Sequence, residues 1–101
     1  MEDQYVRIAK IFKAMADPKR VQIVDLLSDG EVCVCVLLEH FQVSQPTLSH
    51  DLKLLMEVGV VKSRREGKRV LYSLNLDTLE RLQRRLKKML LMENDGGPAG
   101  E

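Results

Sequence analysis

Residues 44–59 constrain the fold of this chain more than any other segment. Ser44 is a good helix N-cap, and the proline two residues later is tolerated in a first turn, where the amide lacks a helical partner. Leu48, Leu52 and Leu55 then form one apolar stripe. The pattern predicts a helix that packs on one side and exposes polar groups on the other. The exposed face carries Gln45, Ser49, His50 and Lys53.

A shorter helix is expected over residues 34–40, and a short turn separates it from the longer one. This arrangement is typical of a helix-turn-helix. In such a motif the residues at the start of the second helix contact base edges in the DNA. Flanking groups of the protein bind the phosphates of the DNA backbone. Gln45 can pair with adenine, Thr47 can touch a thymine methyl group, and Lys53 can reach a phosphate. The predicted DNA contacts of this helix are Ser44, Gln45, Thr47, Ser49, His50 and Lys53.

After Gly59 the hydrophobic period changes to two, which predicts strands over residues 60–65 and 70–74 with a turn at Glu66 and Gly67. The hairpin has a basic tip. The net charge of the chain is only +1, so this local clustering, and not the total charge, favours DNA as a partner. Such a hairpin would meet the DNA backbone or minor groove. Its predicted DNA contacts are Arg64, Arg65, Lys68 and Arg69.

Apolar residues recur at helical spacing near both ends of the chain, and those of the last helix approach a coiled-coil seam. A second helix should begin at Asp17 and Pro18, a cap followed by proline at the first helical position. A chain of 101 residues builds a small core, so pairing would bury further surface. We predict a homodimer that uses Ile8, Ile11, Phe12, Leu79, Leu82, Leu86 and Met89.

These elements together predict a mainly α-helical winged helix-turn-helix, with about five helices and a two-stranded wing. Residues 1–93 should form one domain, and residues 94–101 should be a disordered tail because they cannot bury a core. The sequence has no evident secretory leader or membrane-spanning apolar run, which favours a cytoplasmic protein. His40 and His50 form no evident catalytic arrangement and no phosphate-binding glycine loop is present, so an enzyme is not expected.

Cys33 and Cys35 are the two cysteines of the chain, and they are separated by one residue at the start of the short helix. In a reducing compartment such a pair more often binds a ligand or undergoes redox chemistry than forms a structural disulfide. Soft thiolates select soft ions. Two alternatives stay open: the cysteines pack as small apolar residues, or they sense oxidants or persulfides.

Four segments, residues 14–20, 31–35, 44–52 and 65–68, together resemble the ArsR/SmtB family of bacterial metal-sensing repressors. Cys-Val-Cys directly before the helix-turn-helix resembles the arsenic-sensing branch. The resemblance implies a homodimer that holds operator DNA when empty and releases it when Cys33 and Cys35 bind trivalent arsenic or antimony. Inorganic arsenite or antimonite is the first choice of inducer, and trivalent organoarsenicals follow closely. Cadmium and lead are less expected as inducers, because they usually require more thiolates.

Two departures from the family pattern affect this expectation. Relatives in the arsenic branch often carry a third cysteine where this chain has Leu38, so one chain cannot supply three thiolates. The third position on arsenic is then open to a small-molecule thiol, a partner-chain group or a carbon already bound to arsenic. Zinc-sensing relatives use paired Asp and His ligands on the last helix. No histidine follows Asp77 here, so a zinc site of that type is not expected.

In a regular helix, residues two apart point about 200° away from each other, so both thiols could not hold one ion. We therefore expect the inducer to unwind the start of this helix and to shift the recognition helix. Release requires that the inducer bind the unwound state more tightly than the regular one. The helix dipole should favour the thiolate form. A winged helix that binds only protein is the alternative from another functional class, because a fold does not dictate function.

Overall fold

The computed structural model describes residues 3–91, apart from the side chain of Leu91. Helix α1, Gln4–Met15, begins at Asp3, whose carboxylate accepts the Tyr5 N–H at 2.7 Å. Helix α2, Pro18–Leu27, begins at Asp17, whose carboxylate accepts the N–H groups of the second and third helical residues at 3.1 Å each. The predicted start of the second helix is therefore confirmed.

The helix-turn-helix consists of α3, Val34–Phe41, and α4, Gln45–Glu57. Gln42 closes α3 in the left-handed conformation, with φ of 52°, and donates its N–H to the Leu38 carbonyl at 2.9 Å. Ser44 caps α4 by accepting the Thr47 N–H at 3.3 Å. Both predicted helices and the Ser44 cap are confirmed.

The wing belongs to a three-stranded antiparallel sheet in the order β1-β3-β2. Strands β2, Val61–Glu66, and β3, Arg69–Leu74, form the predicted hairpin, although its turn lies one residue later, at Gly67 and Lys68. Strand β1, Val32–Cys33, pairs with β3 and was not predicted. The predicted two-stranded wing is thus confirmed, and β1 adds a third strand to its sheet. A two-residue strand is too short to show an alternating pattern.

Helix α5, Leu76–Leu91, completes the described chain, and all five helices contribute to one aliphatic core. No helix within residues 3–91 combines the length and apolar character needed to cross a membrane. The predicted tail, residues 94–101, lies outside the described residues. The largest fully buried side chains of the core are Ile23, Leu37, Leu48, Leu52, Leu55 and Val60.

The residues predicted for dimerisation differ in their exposure. Phe12 and Met89 are both 47% exposed, whereas Ile11 is only 8% exposed and packs in the core of its own chain. Ile11 is therefore largely unavailable to a partner. Ile8, Leu79, Leu82 and Leu86 are half-buried. An apolar groove along one face of α5 is lined by Leu79, Leu82, Leu86 and Leu90, together with Gln83 and Lys87.

A buried carboxylate fixes α4 against the corner between α1 and α2. Asp51 is 4% exposed, and its Oδ1 accepts a hydrogen bond from Arg20 Nη1 at 3.1 Å. Lys19 Nζ lies 2.9 Å from Oδ2 in an ion pair without hydrogen-bond alignment. Arg20 Nε also donates to the Ala14 carbonyl at 2.6 Å. The side chain of Arg20 thus joins the end of α1, the start of α2 and the middle of α4.

We expect Asp51→Ala to lower the free energy of unfolding by about 3 kcal/mol, because it leaves a largely buried guanidinium without its counter-charge. The control is Asp77→Ala, which breaks the exposed 3.1 Å pair with Arg81 and should cost no more than about 1 kcal/mol. Urea denaturation at one fixed protein concentration measures both, since the stability of a dimer depends on concentration. Equal losses would contradict the anchoring role of Asp51.

Candidate DNA interface and thiol site

Helix α4 separates its packing face from its polar face as predicted. Leu48, Leu52 and Leu55 are each at most 1% exposed. Ser44 also donates its hydroxyl to Thr47 Oγ1 at 2.9 Å, so these two hydroxyl groups are held together at the start of the helix. All six residues of α4 and its cap that were predicted to contact DNA are exposed, namely Ser44, Gln45, Thr47, Ser49, His50 and Lys53.

The basic residues of the wing are exposed, but they differ in their partners. Arg64 forms a bidentate pair with Glu31, with Nε to Oε2 at 2.7 Å and Nη2 to Oε1 at 2.8 Å. The hydrogen bond and charge of Arg64 lower the pKa of Glu31, and those of Glu31 raise the pKa of Arg64. This pair joins the residue before β1 to β2. Lys68 lies at the tip, where Gly67 adopts a φ of 63°.

Cys33 is the N-cap of α3 and not part of the helix. Its backbone is extended, with φ of −70° and ψ of 144°, and its Sγ accepts the Cys35 N–H at 3.3 Å. The side chain of Cys35 also lies close enough to Cys33 to lower the pKa of the Cys33 thiol. The prediction that the two thiols point about 200° apart is therefore wrong, because strand pairing holds Cys33 outside the helix. The two cysteines are therefore neighbours at the start of α3 without any unwinding of the helix.

The two thiols differ in exposure and acidity. Cys33 is 6% exposed, whereas Cys35 is exposed. Hydrogen bonds from the Cys35 thiol, then from its backbone N–H, lower the pKa of Cys33, and the Arg69 guanidinium adds to this effect. The interaction with the Cys33 side chain, followed by partial desolvation, raises the pKa of Cys35, although this residue is exposed. Cys33 is thus the first thiolate of the pair.

Arg69 was predicted as a DNA contact, and the structure also brings it to the thiols. Cys33 and Arg64 are both paired with Leu71, so these three side chains share one face of the sheet. Arg69 lies two residues before Leu71 on β3 and shares that face. Nowhere in residues 3–91 do three His, Cys, Asp or Glu side chains come together as a possible metal site.

Sequence reasoning missed several residues that organise these surfaces. Glu31 pairs with a residue 33 positions away, which no local pattern indicates. Asp51 carried a detectable signal, because it is an acid on the apolar side of α4, between Leu48 and Leu55. An unpaired carboxylate at such a position would be costly, so a basic partner could have been inferred.

Residues 17–63 match the family described as bacterial regulatory protein, arsR family. The chain is 46% identical over 82 residues to an arsenical resistance operon repressor of Staphylococcus xylosus, covering 81% of this chain and 79% of the relative. A cadmium resistance regulatory protein CadC homolog of Staphylococcus aureus is 45% identical over 76 residues, covering 74% and 63% of the two chains.

A possible ArsR-family regulator of Mycobacterium bovis, a homodimeric winged helix-turn-helix DNA-binding domain, matches with a TM-score of 0.71 and 30% identity. The match covers 92% of this chain and 85% of that chain. An exposed recognition helix, a basic wing and these similarities define a winged helix-turn-helix repressor of transcription that binds DNA. The chain belongs to the arsR family of bacterial regulatory proteins, which are regulators and not enzymes.

The opposite pKa shifts of the two thiols predict opposite effects in single-cysteine variants. Thiolate absorbance of the wild type should rise in two steps, the first below the usual range of a cysteine thiol. In Cys35→Ala the remaining thiol should titrate above the first wild-type step, because Cys33 loses its main hydrogen-bond donor. In Cys33→Ala the remaining thiol should titrate below the second step. Unchanged titration in both variants would contradict the contact between the thiols.

Proposed function

We propose that this chain is a homodimeric cytoplasmic repressor that releases operator DNA when a trivalent arsenic or antimony species binds Cys33 and Cys35. The observation that carries the proposal is the proximity of the two cysteines at the start of α3, where Cys33 Sγ accepts the Cys35 N–H at 3.3 Å. Helix α3 leads into the recognition helix. Soft thiolates match trivalent arsenic. The arsenical resistance repressor of Staphylococcus xylosus, a relative at 46% identity, supports this class of inducer.

In the proposed complex, α4 lies in the major groove. Gln45, Thr47, Ser49 and His50 are exposed at its start and would meet base edges. Phosphates would be bound by exposed groups on either side of this face, and these contacts make affinity depend on salt. The groups proposed to bind phosphate are Ser44, Lys53, Arg65, Lys68 and Arg69, with Arg64 in addition where its pair with Glu31 leaves it accessible.

A second copy of the chain would cover the apolar surface of α1 and α5. The exposed fractions of Phe12, Met89 and Leu90 are 47%, 47% and 71%. An apolar surface of this kind is typical of a site that another protein chain covers. The apolar groove on α5 adds Leu82 and Leu86 to this surface. The Mycobacterium bovis relative is homodimeric, which supports the same assembly here.

The thiols would communicate with the wing through the sheet. Cys33 is the last residue of β1, which pairs with β3. Glu31, the residue before β1, forms an ion pair with Arg64 of β2. Capture of arsenic by both sulfurs would move the β1–α3 junction, and with it both the wing and the turn into α4. The inducer shifts DNA affinity only because it binds this displaced state more tightly. This route replaces the predicted unwinding of the helix.

A redox or persulfide sensor of the same fold is the second candidate. The lowered pKa of Cys33, whose side chain is buried, favours it, because thiolates are the reactive form of cysteine. The two candidates require different triggers. Release by an arsenical under reducing conditions supports the arsenic sensor, and release only by an oxidant or persulfide donor supports the alternative.

Fluorescence anisotropy of the protein on DNA from upstream of its own gene tests the arsenic sensor. Under reducing conditions an arsenical should release the DNA, whereas zinc should not. Cys33→Ser and Cys35→Ser should each bind the DNA as the wild type does and no longer release it, because one sulfur cannot close the ring with arsenic. Release from either variant at the wild-type inducer concentration would refute the two-thiol mechanism.

Two further variants separate reading of bases from binding of phosphates. Gln45→Ala should weaken binding to operator by about 1–3 kcal/mol with little effect on random DNA, because it removes a paired hydrogen bond to a base. Lys68→Ala should weaken both DNAs alike and reduce the salt slope by about 1. Anisotropy titrations across a salt series measure both effects. If Gln45→Ala still discriminates between operator and random DNA as the wild type does, Gln45 does not contact a base.

A further inference from the structure

We propose that a cleft between α1, the end of α4 and α5 binds a small organic acid with an anionic head and an apolar body. The cleft encloses about 450 Å³ and is built by elements of one chain. Small-molecule sites in proteins commonly enclose about 300–1,000 Å³. Of the described residues that line the cleft, none is proposed above to bind DNA or arsenic. The inference therefore goes beyond the proposed function and does not depend on it.

The cleft lies at the opposite end of the recognition helix from the predicted base contacts. Met56 and Glu57, the last two residues of α4, line it together with Val58. At a rise of 1.5 Å per residue, Met56 lies roughly 16 Å along the helix axis from Gln45. Within the described chain, no residue of the wing strands lines the cleft. Contact with bases or with the wing therefore does not explain the charge of the cleft.

The cleft is rich in positive charge. Among the described residues that line it, Glu57 is the one acid, and four are cations, namely Arg7, Lys10, Arg81 and Arg85. Arg81 pairs with Asp77 at 3.1 Å, but the two side chains are 55% and 76% exposed, so the pair is weak. A guanidinium group binds a carboxylate or a phosphate through two parallel hydrogen bonds. The cleft therefore favours a ligand with an anionic head.

Arg85 has a hydrogen-bond donor without an acceptor. Its Nε is buried and has no hydrogen-bond partner within residues 3–91. Its guanidinium carbon lies 5.9 Å from the centroid of the Tyr5 ring, a contact that favours the charge without supplying an acceptor in the plane of the guanidinium. A buried N–H group without an acceptor is costly, and a carboxylate oxygen would remove that cost. Arg85 is therefore the proposed main contact of the anionic head.

The rest of the wall is largely apolar. Ile8 and Ile11 of α1 line the cleft, and Leu82 of α5 lies across from them. Met56 and Val58, both half-buried, extend this apolar surface at the end of α4. An inorganic anion would leave the apolar wall in water, whereas a hydrocarbon chain or ring would cover it favourably. The charge and the apolar wall together select an acid with an apolar body.

The cleft and the apolar groove on α5 lie on different sides of that helix. Thr78, Arg81 and Arg85 line the cleft, whereas Leu79 and Leu86 line the groove. At 3.6 residues per turn, these two sets are centred roughly 100° apart around the helix axis. A second copy of the chain can therefore cover the groove while the cleft stays open.

The test titrates the full chain with octanoate, which combines a carboxylate with a hydrocarbon chain. Isothermal titration calorimetry should show one octanoate bound per chain. Acetate and inorganic phosphate supply a head without the body, and octanol supplies the body without the charge. Each of these three should bind at least about tenfold more weakly than octanoate. In NMR spectra, octanoate should shift the backbone amide signals of Val58, Gly59 and Thr78.

Two neighbouring arginines of α5 provide a variant and its matched control. Arg85→Gln removes the charge that is proposed to hold the head, and it should weaken octanoate at least about tenfold. Arg84→Gln removes one charge from the next position along the helix, where the side chain is exposed and does not line the cleft. It should leave octanoate binding unchanged. Equal losses in the two variants would indicate general attraction to a basic helix and would overturn the inference.

The measurements on the wild type decide the question even if Arg85→Gln does not fold. The inference is wrong if octanoate does not bind, or if octanol or phosphate binds as tightly as octanoate does. Amide shifts confined to Gln83, Lys87 and Leu90 would place the acid in the groove on α5 and would also overturn it. Release of DNA by an arsenical is measured separately, so failure here leaves the proposed function intact.

Discussion

The presentation of the recognition helix depends on one buried carboxylate. Asp51 lies among the leucines that hold α4 in the core, and its charge is acceptable there only because Arg20 and Lys19 meet it from the start of α2. Arg20 also binds the last turn of α1 through the Ala14 carbonyl. Leucine packing is non-directional and by itself specifies the buried face of α4 less sharply than a hydrogen-bonded ion pair does. The leucine stripe decides which face of α4 is buried, and the ion pair adds a directional contact that holds the helix in that orientation.

The short strand β1 connects the thiols to the rest of the molecule. Its pairing with β3 holds Cys33 in an extended conformation, and this conformation lets the sulfur cap α3 and meet Cys35. The pair between Glu31 and Arg64 spans the same sheet to the far strand of the wing. A displacement at the thiols therefore has two short routes to the DNA-binding surface, one through the sheet and one through α3.

Local signals predicted the helices and the free face of α4, because caps and apolar spacing act within a few residues. Ser44, Asp17 and the stripe from Leu48 to Leu55 are of this kind. The conformation of Cys33 could not be predicted in the same way. It depends on a strand about 40 residues later in the sequence, and a strand of two residues leaves no periodic pattern. The pairs of Arg64 with Glu31 and of Arg20 with Asp51 are equally non-local.

The nearness of Arg69 to Cys33 sets a condition on how the proposed inducer acts. Arg69 contributes to stabilising the thiolate, and it is also a candidate phosphate ligand on the wing. If arsenic converts the thiolate into a neutral As–S group, Arg69 loses an anionic partner and becomes more available to phosphate. Electrostatics alone would therefore strengthen DNA binding, which is opposite to release. The proposed release consequently requires displacement of backbone at the β1–α3 junction, large enough to outweigh the charge gained by the wing.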